Sequence, residues 1–146
     1  MLTKQDEEFM RKALVEAQMA ADEGEVPIGA VIVHNGRIIA RAHNLTETLN
    51  DATAHAEMQA ITSATSAIGG KYLHDCTLYV TVEPCVMCAG AIGWSQVSRV
   101  VYGTPDEKRG FSLFAPKAMH PKTEIIGCVL QRECKELIQA FFKEKR

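Results

Sequence analysis

The chain has 146 residues, of which 47% are hydrophobic and 23% are charged, so it is long enough for one domain with one core and is not a disordered tail. Its formal net charge of −2 excludes a protein that coats nucleic acid through bulk positive charge, so any such contact must come from a local patch. The start is polar and acidic, unlike a secretory signal, and no apolar run is long enough to span a bilayer. We therefore expect a single cytoplasmic domain over residues 1–146 with no membrane contact.

The first part of the chain predicts a helix followed by a β-hairpin. Apolar side chains recur at helical spacing from Thr3 to about Glu23. Two runs rich in β-branched residues, 28–33 and 37–43, then flank Asn35-Gly36. This dipeptide is typical of a two-residue hairpin turn, because both of its positions need a positive φ.

The rest of the chain alternates further helices and strands. The predicted elements are a helix over 54–67, a strand over 77–82, a short helix over 84–94, strands over 99–102 and 124–130, and a helix over about 132–143. Between the last two strands, residues 103–122 form a long loop, which is usually functional or disordered. The order α-β-β-α-β-α-β-β-α predicts a mixed sheet with helices on both faces. Within the last helix we expect Cys134, Leu137, Ile138 and Phe141 to be buried.

Five cysteines, an odd number, argue against a disulfide framework and for reduced thiols in a cytosol-like compartment. Cys76, Cys128 and Cys134 fall in predicted strands or on helix faces, where a free cysteine is usually part of the core. Three histidines, His34, His43 and His74, are expected at the surface or in loops.

The other two cysteines, Cys85 and Cys88, are three positions apart in the first turn of a predicted helix, so both sulfurs can reach one metal ion. The helix N-terminus favours their thiolate forms. His55 and Glu57 stand at the start of another predicted helix, and side chains at i and i+2 point away from each other on a helix flank. An ion beyond the helix end could face both side chains, because Cβ vectors tilt toward the N-terminus. The pattern therefore predicts two helix N-termini directed at one ion.

His55, Cys85 and Cys88 supply three ligands, and three protein ligands with water in the fourth position are typical of catalytic zinc. Glu57 could then take a proton from that water and deliver it to a substrate nitrogen. Such a site suits hydrolytic attack on an electron-poor ring carbon that bears an amino group. Two alternatives remain open: a redox cysteine pair, and a structural zinc site completed by a fourth ligand. The candidates for that fourth ligand are Cys76, Cys128, Cys134, His74 and His120.

His-x-Glu followed by Pro-Cys-x-x-Cys is the signature of zinc nucleobase deaminases. The whole chain resembles the bacterial tRNA-specific adenosine deaminases of the zinc cytidine/deoxycytidylate deaminase superfamily. The resembling segments are 26–31, 53–57, 78–91, 99–103 with Asp106 and Lys108, and 141–143.

The resemblance implies a three-layer α/β/α, cytidine-deaminase-like fold with a mixed five-stranded sheet and one Zn²⁺ per chain on His55, Cys85 and Cys88. It implies that Glu57 is the catalytic proton shuttle, that Asn44 binds the flipped base and that Asp106 contacts a neighbouring ribose. The implied reaction is hydrolytic deamination of adenosine to inosine at the wobble position of a tRNA anticodon, with release of ammonia and no nucleotide cofactor.

The sequence departs from this family at three places. Ala52 stands where proline is usual, Trp94 lies in a segment that often reads His-Ser-Arg, and a usual run of small residues is replaced by 109–113. In having a tryptophan at position 94, the chain resembles the guanine deaminases. A free guanine or cytosine deaminase on the same scaffold is therefore the alternative enzyme, and a non-catalytic zinc module is the alternative outside enzymes.

The expected partners are a tRNA anticodon loop and a second copy of the chain. A single-stranded loop can present a splayed-out base to a pocket. The candidate phosphate contacts are Lys108, Arg109, Lys117, Lys122, Lys143, Lys145 and Arg146. Because the helix over 85–94 is apolar nearly all round, we expect it to be buried on every side, partly by the second copy of a homodimer.

Overall fold

Helices and strands alternate along the chain in the computed structural model, which describes residues 2–144. The elements in chain order are α1 (Lys4–Asp22), β1 (Gly29–His34), β2 (Arg37–His43), α2 (Ala56–Ile68), β3 (Cys76–Val82), α3 (Val86–Ser95), β4 (Arg99–Thr104), α4 (Phe111–Phe114), β5 (Glu124–Ile126) and α5 (Gln131–Glu144). The predicted order is confirmed, with the short helix α4 added inside the predicted long loop.

Within residues 2–144, the strands form one five-stranded sheet in the order β2-β1-β3-β4-β5. β1 pairs antiparallel with β2 and β3, whereas β3, β4 and β5 run parallel. The predicted mixed sheet is therefore confirmed. Because β3 and β4 are parallel and joined through α3, the segments that follow both strands emerge at the same edge of the sheet.

The sheet separates two hydrophobic cores. Side chains on one face of the strands, including Ile32 and Leu78, pack with Ala60 of α2. On the other face, Val31 and Tyr79 pack with α1 and with Cys134 of α5. This alternation follows from the two-residue period of a strand and produces the predicted three layers.

Helix α1 is anchored at its start. Thr3 Oγ1 accepts a hydrogen bond from the Asp6 N–H, and the Asp6 carboxylate accepts one from the Thr3 N–H, which completes a capping box. The same carboxylate is buried and also receives the guanidinium of Arg99 and the hydroxyl of Tyr79. Asp6 therefore ties the start of α1 to β3 and β4.

Several boundary and burial predictions were wrong. Strand β5 ends at Ile126 rather than Leu130, because Cys128 and Leu130 adopt φ angles of 65° and 53°, which a strand does not accommodate. Cys128 is also exposed rather than part of the core, whereas Cys76 and Cys134 are buried as predicted. In α5, only Cys134 of the four expected side chains is buried, and Leu137, Ile138 and Phe141 are half-buried.

Helix α3 is not buried on every side. Val86, Met87 and Trp94 are exposed in the single chain, and 86% of Trp94 is accessible. His43, which we expected to be a surface or loop residue, ends β2 and is half-buried between two carboxylates. Among the described residues, no helix combines the length and apolar character needed to cross a bilayer.

Candidate metal centre and substrate pocket

The predicted metal ligands come together where α2 and α3 begin. His55 and Cys85 are the N-cap residues of these two helices, and Cys88 lies in the first turn of α3. The His55 Nδ1 atom is 3.6 Å from Cys85 Sγ and 3.5 Å from Cys88 Sγ. The three potential ligand atoms all lie within 4.8 Å of one another, so a single ion between them can contact all three.

The donor set fits zinc, which binds imidazole nitrogen and thiolate sulfur in four-coordinate sites. Hydrogen bonds from Cys88 and His55 outweigh burial and lower the pKa of Cys85 to about 4, so this side chain is a thiolate at neutral pH. Within residues 2–144, no further histidine, cysteine, aspartate or glutamate joins this cluster. The described residues therefore do not supply the fourth protein ligand that a structural zinc site would need.

Glu57 lies in the first turn of α2, beside the cluster, with its side chain buried. Burial raises the pKa of this carboxyl to about 7, and the Cys85 thiolate adds to the effect, while its own backbone amide and His55 oppose it. A carboxyl with this pKa can both accept and release a proton near neutral pH. The predicted role of Glu57 as a proton shuttle requires a carboxyl beside the metal ligands, and Glu57 lies there.

A cavity of about 720 Å³ opens over the cluster, a volume suited to a small ligand or a single base. It is lined by Ala52, His55, Cys85, Val86, Met87, Lys108, Arg109 and Phe114. The lining therefore combines two of the three predicted metal ligands with two cationic side chains and an aromatic ring.

Asn44 and Asp106, the predicted substrate contacts, do not belong to the lining of this cavity. Asn44 is buried directly after β2, and its Nδ2 donates to Thr46 Oγ1 at 3.2 Å and to Glu25 Oε1 at 3.4 Å. Asp106 Oδ1 accepts hydrogen bonds from the backbone N–H groups of Lys108 and Arg109, each at 3.0 Å. Asp106 thus holds the turn that presents two lining residues of the cavity.

Two buried carboxylates that sequence reasoning missed hold the loops beside the site. Glu25 is fully buried and accepts hydrogen bonds from Asn44, Glu47 and Thr48. Burial raises the pKa of Glu25, but the bonds from Thr48 and Glu47 outweigh it, so its pKa is below the ordinary value. Glu83 likewise accepts hydrogen bonds from the segment that follows β4. The only sequence signal for Glu83 is its place directly before Pro84-Cys85.

The predicted phosphate contacts fall into separate places. Lys108 and Arg109 line the cavity over the metal cluster. Lys108 also lines a second groove of about 720 Å³ with Lys135, Phe142 and Lys143, between the loop after β4 and α5. Lys122 lies on a different surface, near His74 and His120, and Lys117 is exposed. Lys145 and Arg146 lie outside the described residues.

Three side chains that could hold one zinc ion, a buried carboxylate beside them and an open cavity together fit one class of protein, the zinc-dependent hydrolytic enzymes. The sequence profile of the cytidine and deoxycytidylate deaminase zinc-binding region matches residues 3–104, and the chain belongs to this family.

Three known proteins are similar to the chain. It is 49% identical to the tRNA-specific adenosine deaminase of Bacillus subtilis (strain 168), over 97% of this chain and 91% of that protein. A solved structure from a study of A-to-I editing by tRNA:A34 deaminases at the wobble position superposes with a TM-score of 0.83 at 43% identity, covering 89% of this chain and 98% of the other. The guanine deaminase of Bacillus subtilis superposes with a TM-score of 0.66 at 40% identity, covering 71% of this chain and 66% of the other.

Proposed function

We propose that the chain deaminates adenosine to inosine at the wobble position of a tRNA anticodon by hydrolysis, with release of ammonia. The observation that carries this proposal is the 49% identity to a tRNA-specific adenosine deaminase over 97% of the chain. This similarity includes residues beyond the zinc-binding region, where Lys108, Arg109 and α5 form the rim of the cavity and the neighbouring groove.

His55, Cys85 and Cys88 hold the zinc ion in this proposal. Zinc with three protein ligands supplies a Lewis acid that lowers the pKa of water at its open position. Glu57 is the catalytic residue: its carboxylate takes a proton from the attacking water, whose oxygen bonds to C6, and passes that proton to N1 of the base. Glu57 then takes the proton of the new C6 hydroxyl and gives it to the amine, so that the C6–N bond breaks, ammonia leaves and the C6 carbonyl of inosine remains.

Asn44 and Asp106 are the proposed substrate contacts, for the flipped base and a neighbouring ribose. Support for Asn44 comes from Glu25 and Thr46, which fix the orientation of its amide before any ligand arrives. Support for Asp106 comes from its position in the loop that presents Lys108 and Arg109 to the cavity.

The RNA itself would bind through local charge, because the net charge of the chain is slightly negative. Lys108 and Arg109 are exposed at the cavity, and Lys135 and Lys143 extend the cationic surface along α5. Aromatic side chains beside them, Phe114 and Phe142, are also exposed and can stack on unpaired bases. Such contacts suit the splayed nucleotides of an anticodon loop.

Deamination of a free base is the alternative, favoured by the 40% identity to a guanine deaminase and by a tryptophan at position 94. The zinc-loaded protein should be incubated with a purified tRNA pool and, in parallel, with guanine, cytosine and adenine. We expect inosine in the tRNA and no ammonia from the free bases. Ammonia released from guanine, with no inosine in the tRNA, would overturn the proposal.

We also propose a homodimer. The apolar side chains Val86, Met87 and Trp94 of α3 are exposed in one chain, and exposed apolar side chains on one helix are typical of an interface. Sedimentation at micromolar concentration should give twice the mass of the chain for the wild type. The Trp94→Glu variant should sediment with the mass of a single chain. A wild-type protein that sediments as a monomer would contradict the dimer.

A cytoplasmic location is proposed from the thiols. All five cysteines are free in the structure, and Cys85 and Cys88 must stay reduced to bind zinc. Fractionation of cells that produce the protein should recover it with cytoplasmic markers; recovery in an oxidising compartment would contradict this.

A further inference from the structure

Glu83 occupies the short segment between the end of β3 and the metal ligand Cys85. Its side chain is buried, and all of its hydrogen bonds come from the loop that follows β4. Oε1 accepts from the Asp106 N–H at 3.1 Å, and Oε2 accepts from the Ser112 N–H at 3.1 Å and from the Ser112 hydroxyl at 2.6 Å. One carboxylate therefore holds both ends of the segment 106–112.

Backbone contacts reinforce this attachment. The Phe111 N–H donates to the Pro84 carbonyl at 2.9 Å, and Cys85 pairs with Gly110 in an isolated antiparallel bridge. Gly110 has no room for a side chain, because a Cβ there would lie 2.5 Å from Glu83 Cδ and 2.6 Å from the Asp106 carbonyl oxygen. The loop thus lies directly against the metal-ligand segment.

The attached loop supplies one wall of the cavity. Asp106 caps the turn at Lys108 and Arg109, and these two residues line the cavity together with Phe114 of α4. The same cavity is lined by His55 and Cys85. The position of the cationic residues relative to these two therefore depends on the contacts between Glu83 and the segment 106–112.

The chemistry of these contacts makes them hard to replace. Hydrogen bonds to a charged group are about twice as strong as those between neutral groups, and a donor left without an acceptor destabilises the fold. An amide in place of the carboxylate would turn an N–H group toward at least one of the loop donors. The geometry would then change even though the side chain keeps its size.

We propose that Glu83 is a positioning residue that sets the place of the cationic loop 106–114 relative to the metal ligands. It does not contact the substrate, and it acts through Asp106, Gly110 and Ser112. The proposal rests on the proposed function only for the identity of the substrate. The attachment of the loop to Glu83 does not depend on which substrate binds.

The first test is the kinetics of Glu83→Gln with an anticodon stem-loop RNA. Misplacing the cationic wall should weaken binding, so we expect KM to rise about tenfold or more, while kcat falls less than about threefold and zinc stays at one per chain. Ser112→Ala removes only the hydroxyl donor and should raise KM by a smaller factor. A KM equal to that of the wild type in both variants would overturn the proposal.

Asp6→Asn is the matched control. Asp6 is also a buried carboxylate with several donors, but they come from Thr3, Tyr79 and Arg99 rather than from the cavity loop. We expect this variant to lose stability with an unchanged KM. An equal rise in KM for Asp6→Asn would show that general loss of stability explains the effect, and the proposal would fail.

The second test is independent of substrate. Amide hydrogen exchange at 106–112 should be faster in Glu83→Gln than in the wild type and unchanged in Asp6→Asn. Should Glu83→Gln not fold, Ser112→Ala carries both measurements, and unchanged exchange and KM would refute the inference. A wild-type protein that forms no inosine would refute the proposed function alone, because exchange still tests the attachment.

Discussion

Buried carboxylates in this protein differ in chemistry because their hydrogen-bond partners differ. Asp6 and Glu25 are buried, yet hydrogen bonds from several donors hold their pKa values below the ordinary range against the effect of burial. Glu57 is buried with fewer opposing contacts, so burial dominates and its pKa rises to about 7. The opposite directions of these pKa shifts therefore follow from the balance between burial and hydrogen bonding at each carboxyl.

The proton role of Glu57 is tested by Glu57→Gln, which keeps the shape but cannot accept the proton. We expect deamination to fall by about 10²–10⁴-fold while one zinc per chain is retained. Rate and metal content should be measured together, with Glu8→Gln, an exposed position of α1, as the control that leaves both unchanged. Turnover at the wild-type rate in Glu57→Gln would contradict the assigned role.

His43 makes stability depend on pH. Its Nδ1 lies 2.9 Å from a Glu16 oxygen and its Nε2 lies 2.8 Å from a Glu23 oxygen, joining the end of β2 to α1. Partial burial alone would lower the pKa of His43, but the hydrogen bonds to Glu16 and Glu23 outweigh it, and the pKa lies above its ordinary value of 6.5. The imidazolium is therefore more favoured in the folded state than in the unfolded chain.

At a pH below the pKa that His43 has in the unfolded chain, its contribution to stability is fully present. This contribution is lost as the pH rises through the higher pKa that His43 has in the folded protein. We expect the difference in Tm between the wild type and His43→Gln to be largest near pH 6 and to shrink at alkaline pH. Both proteins should be melted at each pH, because the contributions of the other titrating groups cancel in the difference between their Tm values. A difference that grows with pH would contradict this assignment.

At the scale of elements, α1 can lie close to β1 because the contact is built from small residues. Gly29 faces Ala13 and Ala17, and a Cβ on Gly29 would overlap backbone atoms of α1. The Gly29 N–H also donates a hydrogen bond to Thr81 Oγ1 in β3. The helix therefore depends on a glycine at this strand position.

Gly29→Ala should lower the free energy of unfolding by about 2 kcal/mol or more, because backbone atoms on both sides must move apart. Urea denaturation measures this loss. Gly70→Ala is the control, because a Cβ at Gly70 meets no atom within 4 Å, and we expect a change within about 0.5 kcal/mol. Equal stability of the wild type and Gly29→Ala would show that the contact is not rigid.

In the whole molecule, parallel pairing explains why the site lies where it does. Val82 at the end of β3 pairs with Thr104 at the end of β4, and the Glu83 N–H donates to the Thr104 carbonyl at 2.9 Å. The carboxyl ends of both strands therefore deliver the segments that begin with Glu83 and Pro105 to one edge. Sites at this edge are typical of sheets with parallel strands.

Metal removal should affect the whole fold, because the ligands join the starts of α2 and α3. Chelation should lower Tm by several degrees, and zinc, but not magnesium, should restore it, since ligand binding to the native state adds to stability. Cys88→Ala should abolish this response, while Cys76→Ala, a buried cysteine outside the cluster, should retain it. A Tm insensitive to zinc in the wild type would argue against the metal site.

The sequence by itself determined the order of the elements other than α4, and it indicated His55, Cys85 and Cys88 as candidate metal ligands. Periods of two and 3.6 residues, the Asn35-Gly36 turn and the short spacing of Cys85 and Cys88 are local properties, which a chain expresses before any distant contact forms. His55 could be joined to them because each group stands at a predicted helix start, and the helix ends converge as expected.

Only the tertiary structure decided which polar groups meet across long separations. Glu83 binds a loop more than twenty residues away, and Glu25 does the same for the loop after β2. The early end of β5, the exposed Cys128 and the open face of α3 depend likewise on how neighbouring elements pack. No local spacing encodes such contacts, because they arise from the pairing and layering of strands and helices that are distant in the chain.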